Sequence, residues 1–156
     1  MRRRTLVGIG LAILVIEVAA RPFFRPAGIP SDPAARVDVA GRVPSPVLST
    51  LRRACFDCHS DETRWPWYSA LPGAYWLMRN DVNRGRGQLN LSRWSRYNRF
   101  DRADLLDKMC EKAASRDMPL WQYRILHPEA RLGDADIAAL CAWTRQEAAR
   151  VVGDGS

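Results

Sequence analysis

The sequence predicts a small all-α domain preceded by an N-terminal signal or anchor helix. Apolar residues recur at helical spacing in several stretches bounded by Pro, Gly or Asp. No strand-like alternation surrounds the cysteine motif described below. A chain of 156 residues has room for one domain with one modest core. The predicted boundaries are 1–24 for the signal or anchor, 25–45 for a Pro- and Gly-rich linker, and 46–150 for the domain.

The first residues of the chain have the composition of an export signal. Three arginines at 2–4 precede an apolar run over residues 5–20, and Arg21 closes the run. We therefore expect a periplasmic protein whose segment is either cleaved or retained. We favour retention, with membrane attachment through residues 5–20, because Pro and aromatic residues at 22–26 are typical of the interfacial exit of an anchor. The run is shorter than the ~20 residues that span a bilayer comfortably.

The net charge of +7 comes almost entirely from arginine, since the chain has only two lysines, Lys108 and Lys112. No DNA- or RNA-binding motif accompanies this charge, so no nucleic acid partner is predicted. A basic surface supports only general attraction to anions, either an acidic redox protein or anionic lipid.

The residues around which the domain is organised are Cys55-Phe56-Asp57-Cys58-His59, a C-x-x-C-H sequence. Two thiols one helical turn apart can form thioether bonds with the two vinyl groups at one edge of a porphyrin. The adjacent imidazole is then placed to bind the iron. The motif predicts covalent haem c on Cys55 and Cys58, with His59 as the proximal iron ligand.

Two other interpretations of the motif remain open from the residues alone. A structural zinc site would need a fourth ligand, and the remaining candidates Cys110, Cys141 and His127 contain no second close pair. A thioredoxin-like redox pair would be expected in a βαβ context, which the surrounding pattern does not indicate.

Four helices are predicted in the domain, and the first delivers Cys55 at its C-terminal end. They begin at Pro46, with Ser45 as a cap, at Pro72, at Asp101 to Asp104, and at Gly133 to Asp134. The last two carry Cys110 and Cys141 on apolar stripes, which in an oxidising compartment favours a disulfide over two buried thiols.

Aromatic and basic residues near the motif are candidates for haem contacts. Trp65 and Trp67 suit the wall of a haem pocket, although an ordinary aromatic core patch is the alternative. Arg84, Arg86 or Trp94 could donate to the haem propionates, since guanidinium binds carboxylate in bidentate fashion. A solvated basic face is the alternative for each arginine.

Met118 is the predicted distal iron ligand because it precedes Pro119, which favours an extended loop. Met78 and Met109 lie on apolar helix stripes, where methionine is usually core filler. His127 is the rival ligand, and an open or water-bound iron is the third alternative.

Several motifs along the chain are shared with a known family. They are C-x-x-C-H at 55–59, Arg64-Trp65-Pro66-Trp67-Tyr68-Ser69, Asp81-Val82-x-x-Gly85-Arg86, Leu89-Asn90-Leu91-Ser92-x-Trp94, Met118-Pro119-Leu120-x-x-Tyr123 and His127-Pro128-x-Ala130-x-Leu132. Together they resemble the bacterial haem-binding domain family of small cytochrome-c-type proteins over about residues 46–146. The resemblance implies a mainly helical, monohaem c-type domain facing the periplasm, without an established substrate. One departure is Gly133, where a serine helix cap is expected.

The sequence thus predicts a one-electron carrier with an unidentified redox partner protein and no enzymatic activity. The alternative is a haem-based sensor or peroxidase-like protein with an open or exchangeable sixth ligand position.

Overall fold

The computed structural model describes residues 2–20 and 30–153, and within these ranges it contains helices and no strand. The predicted all-α fold class is confirmed. The α-helices are α1 (Arg2–Ala20), α2 (Val37–Ala40), α3 (Ser45–Ala54), α4 (Phe56–His59), α5 (Pro72–Gln88), α6 (Arg99–Ala114), α7 (Trp121–Leu126) and α8 (Asp134–Gly153). Short 3-10 helices lie at Pro33–Ala35, Trp67–Ala70, Leu91–Arg96 and Pro128–Ala130.

The core of the domain lies between α3, α6, α8 and the 3-10 helix at Leu91–Arg96. Leu51 of α3 and Leu106 of α6 are fully buried, as are Leu91 and Trp94. α6 and α8 pack along each other, and the apolar stripes predicted for both helices face this contact. α5 lies at the side of this core, against α4 and the 3-10 helix at Trp67–Ala70.

The second half of the predicted linker is instead part of the domain. Val37 in α2 is fully buried in the core, and α2 packs against the 3-10 helix that carries Trp94. The indole N–H of Trp143 donates to the carbonyl oxygen of Gly41 over 3.3 Å. Pro and Gly residues break the helical periodicity here, but burial against residues much later in the chain orders the segment. Residues 25–29 of that prediction lie outside the described residues.

The N-terminal helix α1 exposes the apolar side chains that can be described, such as Leu6, Ile9 and Leu11. Among the helices of the described ranges, none combines the length and the hydropathy needed to cross a bilayer. The signal or anchor at residues 1–24 stays a prediction.

A disulfide joins Cys110 of α6 to Cys141 of α8, as the sequence favoured. The Cα atoms of the two residues are 4.8 Å apart. The bond crosses the same contact that buries Leu106, Ala113, Leu140 and Trp143, so covalent and apolar interactions hold α6 and α8 together.

Two predicted helix starts are shifted in the structure. Ser45, the predicted cap of the first domain helix, is instead the first residue of α3, and Pro44 precedes it. Asn98, not Asp101, caps α6, because its side-chain oxygen accepts from the backbone N–H groups of Phe100 and Asp101. Asn90 caps the 3-10 helix at Leu91–Arg96, and its side-chain oxygen accepts from the Ser92 N–H. Both are Asx-type caps, and the second one helps to build the site described next.

Candidate haem site

The cysteine motif occupies the break between α3 and α4. Cys55 leaves helical geometry with φ −123° and ψ −37°, and its carbonyl oxygen accepts from the N–H groups of Cys58 and His59. Phe56 is 5% exposed and anchors the short α4 in the core. Cys55 and Cys58 are both free and partly buried. The turn therefore keeps two reduced thiols one helical turn apart, as attachment to one porphyrin edge requires.

Both thiols are protonated at neutral pH in this structure. Burial, followed by the neighbouring Cys58 thiol, raises the pKa of Cys55 to about 12. Burial, followed by the Asp57 and Asp81 carboxylates, raises the pKa of Cys58 to about 11. A thioredoxin-like redox pair has the opposite property, because its attacking thiol has a lowered pKa.

The geometry also lacks the ligand set of a structural zinc site. Cys110 and Cys141 are joined to each other, and in the part of the chain that the structure describes no three His, Cys, Asp or Glu residues cluster as metal ligands. A closed zinc site needs four such ligands. The described residues therefore favour the haem interpretation of the motif.

His59 is held in the orientation of a metal-ligating imidazole. Its Nδ1 lies 3.2 Å from the carbonyl oxygen of Leu89. A carbonyl can only accept, so Nδ1 carries the proton and Nε2 keeps its lone pair. Burial lowers the pKa of His59, and hydrogen bonds to the backbone carbonyls of Leu89 and Gly85 only partly offset this effect. The ring is therefore neutral near pH 7, which is the form that binds iron.

A buried polar turn presents the Leu89 carbonyl to His59. Asn90 Nδ2 donates to Asp61 Oδ1 over 2.9 Å, and the backbone N–H of Asp61 donates to Ser92 Oγ over 3.0 Å. The Asp61 carboxylate is 1% exposed and lies 3.1 Å from Arg93 Nε. This buried charge is therefore compensated by hydrogen bonds and an ion pair. Asp61 thus connects the segment after His59 to Asn90 and Ser92, next to the Leu89 carbonyl that orients the His59 ring.

α5 approaches the motif so closely that only glycine fits at position 85. A Cβ atom added to Gly85 would lie 2.6 Å from the carbonyl oxygen and 3.3 Å from the Cβ of Cys58. The atom in the way is backbone, so it cannot rotate aside as a side chain would. Gly87 in the same helix has nothing within 4 Å of such an atom.

We expect Gly85→Ala to destabilise the haem-free domain by about 1 to 3 kcal/mol, because the added methyl group pushes α5 away from Cys58. Gly87→Ala is the matched control and should stabilise by up to about 1 kcal/mol, since alanine is the better helix former. Urea unfolding followed by circular dichroism measures both. Equal midpoints for the two variants would contradict the close contact at Gly85.

Asp57, the third residue of the motif, connects it to α7. Its carboxylate accepts from the Tyr123 hydroxyl over 2.7 Å and from the backbone N–H of Arg64 over 3.0 Å. The Arg64 side chain pairs with the same carboxylate. Burial, with the Asp57 hydrogen bond as the second cause, raises the pKa of Tyr123 far above its usual value. Three of the sequence motifs therefore meet at Asp57.

His127, the rival distal ligand, has both ring nitrogens next to protein partners. Its Nε2 lies 2.6 Å from the Tyr68 hydroxyl, and its Nδ1 lies 3.1 Å from Glu129 Oε1. The ring stacks on Tyr123 with centroids 4.2 Å apart. Iron ligation by His127 would break one of these hydrogen bonds, so the geometry favours a structural role.

Met118, the predicted distal ligand, begins a segment with exposed apolar side chains. Met118 is 37% exposed, and its N–H donates to the Lys112 carbonyl at the end of α6. In the following helix α7, Trp121 and Ile125 are 67% and 60% exposed. Ligation by Met118 stays a prediction.

The aromatic residues proposed for the pocket wall occupy different environments. Trp65 is partly buried with its ring centroid 6.4 Å from that of Tyr75. Trp67 is 81% exposed and contacts Tyr68 edge to face. Trp94 is fully buried in the core, where its indole nitrogen has no hydrogen-bond partner. That position gives Trp94 a packing role and does not support the propionate contact predicted for it.

Arg86 makes hydrogen bonds to residues that follow the cysteine motif. Its Nε donates to the Ser60 carbonyl over 2.7 Å, and its Nη2 donates to the Thr63 hydroxyl over 2.9 Å. Burial lowers the pKa of Arg86, with the Asp61 carboxylate opposing that effect. The arginine therefore holds residues 60–63 against α5, whereas Arg84 is exposed. A propionate contact by either arginine stays a prediction.

Sequence reasoning assigned no individual role to Leu89, Asn90, Asp57 or Asp61. The Leu89 contribution is a backbone oxygen, which no side-chain pattern reports. Asn90 two residues before Ser92 is the signature of an Asx turn and was the one available signal.

Comparison with protein families agrees with this geometry, since a family model described as a haem-binding domain matches residues 17–146. The chain belongs to the haem-binding domain family. As a member of that family it is a haem-binding protein, and its C-x-x-C-H motif lies inside the matched range. No curated protein and no solved structure gives a significant match.

Proposed function

We propose that this haem-binding domain protein is a periplasmic c-type haem protein that carries single electrons. Cys55 and Cys58 attach the haem, His59 is the proximal ligand and Met118 the distal one. The observation that carries the proposal is the neutral His59 ring, whose Nδ1 lies 3.2 Å from the Leu89 carbonyl oxygen, next to the two free cysteines of the motif.

The residues present fit a covalently held haem. Both cysteines are unpaired, and the spacing between them is held by the Cys55 carbonyl. The imidazole has the tautomer that iron ligation needs. Exposed apolar side chains of α7 and of the segment around Trp67 and Trp76 offer surface that a haem ring could cover.

When bound, the haem supplies an iron centre that cycles between the ferric and ferrous states. The protein's own residues hold the attachment turn and the proximal imidazole in place. Leu89 fixes the ring of His59, and Gly85 lets α5 pack on Cys58. Asp57 and Arg86 tie the loop after His59 to the domain.

The proposed location and partner follow from charge and from the N-terminal segment. Three arginines followed by an apolar run support export, with tethering to the inner membrane through residues 5–20. The net charge of +7 supports docking to an acidic redox protein.

A haem-based sensor or peroxidase-like protein is the second candidate. It is favoured by the exposure of Met118, a residue that is 37% exposed, since an exposed side chain can leave the sixth ligand position to another ligand. In this candidate the sixth ligand position is open or exchangeable.

Absorption spectra of the purified full chain in both oxidation states, with and without carbon monoxide, separate the candidates. A Soret band with slow carbon monoxide binding to the ferrous form supports the electron carrier. Rapid binding in the wild-type protein supports the open site, and a protein without a Soret band contradicts both.

We expect Met118→Ala to speed carbon monoxide binding to the ferrous protein by at least about tenfold and to lower the midpoint potential, because methionine ligation raises it. Stopped-flow absorption and a spectroelectrochemical titration measure the two effects. Met78→Ala is the control with the same change of side chain, since Met78 lies within α5 and is partly buried. Unchanged kinetics in Met118→Ala would remove Met118 as the ligand.

A further inference from the structure

We propose that Tyr97 is a positioning residue for His59 and acts on it through the peptide group between Leu89 and Asn90. The inference rests on the proposed role of His59 as proximal ligand. Tyr97 acts on the imidazole through this backbone peptide group and not through its own side-chain contact with the ring.

One peptide group makes hydrogen bonds at both of its ends. Its carbonyl oxygen, from Leu89, lies 3.2 Å from His59 Nδ1. Its N–H, from Asn90, donates to the Tyr97 hydroxyl oxygen over 2.9 Å. Hydrogen bonds in series polarise one another, so donation of this N–H to Tyr97 makes the carbonyl a stronger acceptor for the imidazole proton.

The Tyr97 hydroxyl is held in place by several contacts. The ring contacts Trp94 edge to face, with centroids 6.1 Å apart and planes at 69°. The Tyr97 N–H donates to the Trp94 carbonyl, and the Tyr97 carbonyl accepts from Arg102 Nε over 2.8 Å. Because Trp94 is fully buried, the phenol is fixed to the core and the peptide group is fixed to the phenol.

The asparagine side chain prevents the peptide group from rotating. Asn90 Oδ1 accepts from the Ser92 N–H, and Asn90 Nδ2 donates to the buried Asp61. Loss of the Tyr97 hydroxyl should therefore weaken the carbonyl as an acceptor while the turn stays in place. Tyr97 would then tune the imidazole, while the Asn90 turn keeps the Leu89 carbonyl in position.

The expected effect on the haem protein follows from ligand basicity. A stronger hydrogen bond at Nδ1 makes the imidazole a better donor to iron, which stabilises the ferric state. Tyr97→Phe should therefore shift the midpoint potential of the full-length haem protein to more positive values. The His59 Nδ1 proton resonance of the diamagnetic ferrous protein should move upfield, since its hydrogen bond is weaker.

Tyr75→Phe is the matched control, because it also removes a tyrosine hydroxyl that accepts a hydrogen bond, here from Arg79 in the same helix. Its midpoint potential should equal that of the wild-type protein. A second measurement uses the haem-free protein. The Asn90 amide should exchange slowly with solvent in the haem-free protein, and faster after Tyr97→Phe.

The outcomes separate this inference from the proposed function. A positive shift with Tyr97→Phe and none with Tyr75→Phe supports the positioning role. An unchanged potential and Nδ1 resonance in a Tyr97→Phe protein with covalent haem overturns it, as does a fast-exchanging Asn90 amide in the wild-type chain. A wild-type chain that attaches no haem contradicts the proposed function instead, while amide exchange still tests the contact between Asn90 and Tyr97.

Discussion

Replacement of both Cys55 and Cys58 by alanine is expected to give a folded protein that carries no covalently bound haem. No other cysteine can form the thioether bonds, because Cys110 of α6 and Cys141 of α8 are joined to each other. The fold should survive, since both residues are only partly buried and alanine suits the helical turn around them. Co-expression with cytochrome maturation machinery, followed by haem staining of a denaturing gel, measures the loss.

The alanine variant of the other cysteine pair is the control for this experiment. Cys110→Ala/Cys141→Ala removes the same number of thiols from the same chain and should keep haem bound after denaturation. Covalent haem in the Cys55→Ala/Cys58→Ala protein would contradict the attachment sites. Loss of haem from both variants would show that attachment depends on folding as a whole.

Loss of the Cys110–Cys141 bond is expected to destabilise the domain by about 3 to 4 kcal/mol, the chain-entropy value for cysteines separated by 31 residues. The domain should still fold, because Leu106, Leu140 and Trp143 keep α6 and α8 packed together. With an m-value of about 1.5 kcal/mol/M, the urea midpoint should fall by roughly 2 M.

Reduction of the wild-type chain provides an independent comparison for this prediction. Urea unfolding with a thiol reductant should give the same midpoint as Cys110→Ala/Cys141→Ala without one, within the small effect of the alanine side chains. The reductant should leave the alanine variant unchanged. Equal wild-type midpoints with and without reductant would show that the bond contributes nothing to stability.

Local sequence signals predicted those parts of the fold that depend on neighbouring residues. Pro72 marked the start of α5, and the apolar stripes of α6 and α8 placed Cys110 and Cys141 where they meet. The C-x-x-C-H spacing predicted that Cys55 and Cys58 lie one helical turn apart, and the turn between α3 and α4 has this arrangement. In each case the residues within a few helical turns determine the local structure.

The remaining features depend on contacts between distant residues. Val37 was assigned to a linker because its surroundings are rich in Pro and Gly, yet Trp94 and Trp143 provide a core for it to join. Trp94 was grouped with Arg84 and Arg86 as a candidate propionate donor, yet it is fully buried in the core that contains Val37 and Trp143. Asp57 and Tyr123 belong to separate sequence motifs, and only the folded chain brings them within hydrogen-bond distance.

The close packing of α5 on Cys58 has a consequence for biogenesis. Thioether chemistry needs accessible, reactive sulfur atoms, but in the folded chain Gly85 lies against the Cys58 backbone and burial raises the pKa of both thiols. If the haem is attached to both cysteines as proposed, it must therefore be added before α5 packs against Cys58. For a protein exported and loaded with haem as proposed, the order of assembly that suits this packing is export in an unfolded state, haem attachment and then docking of α5.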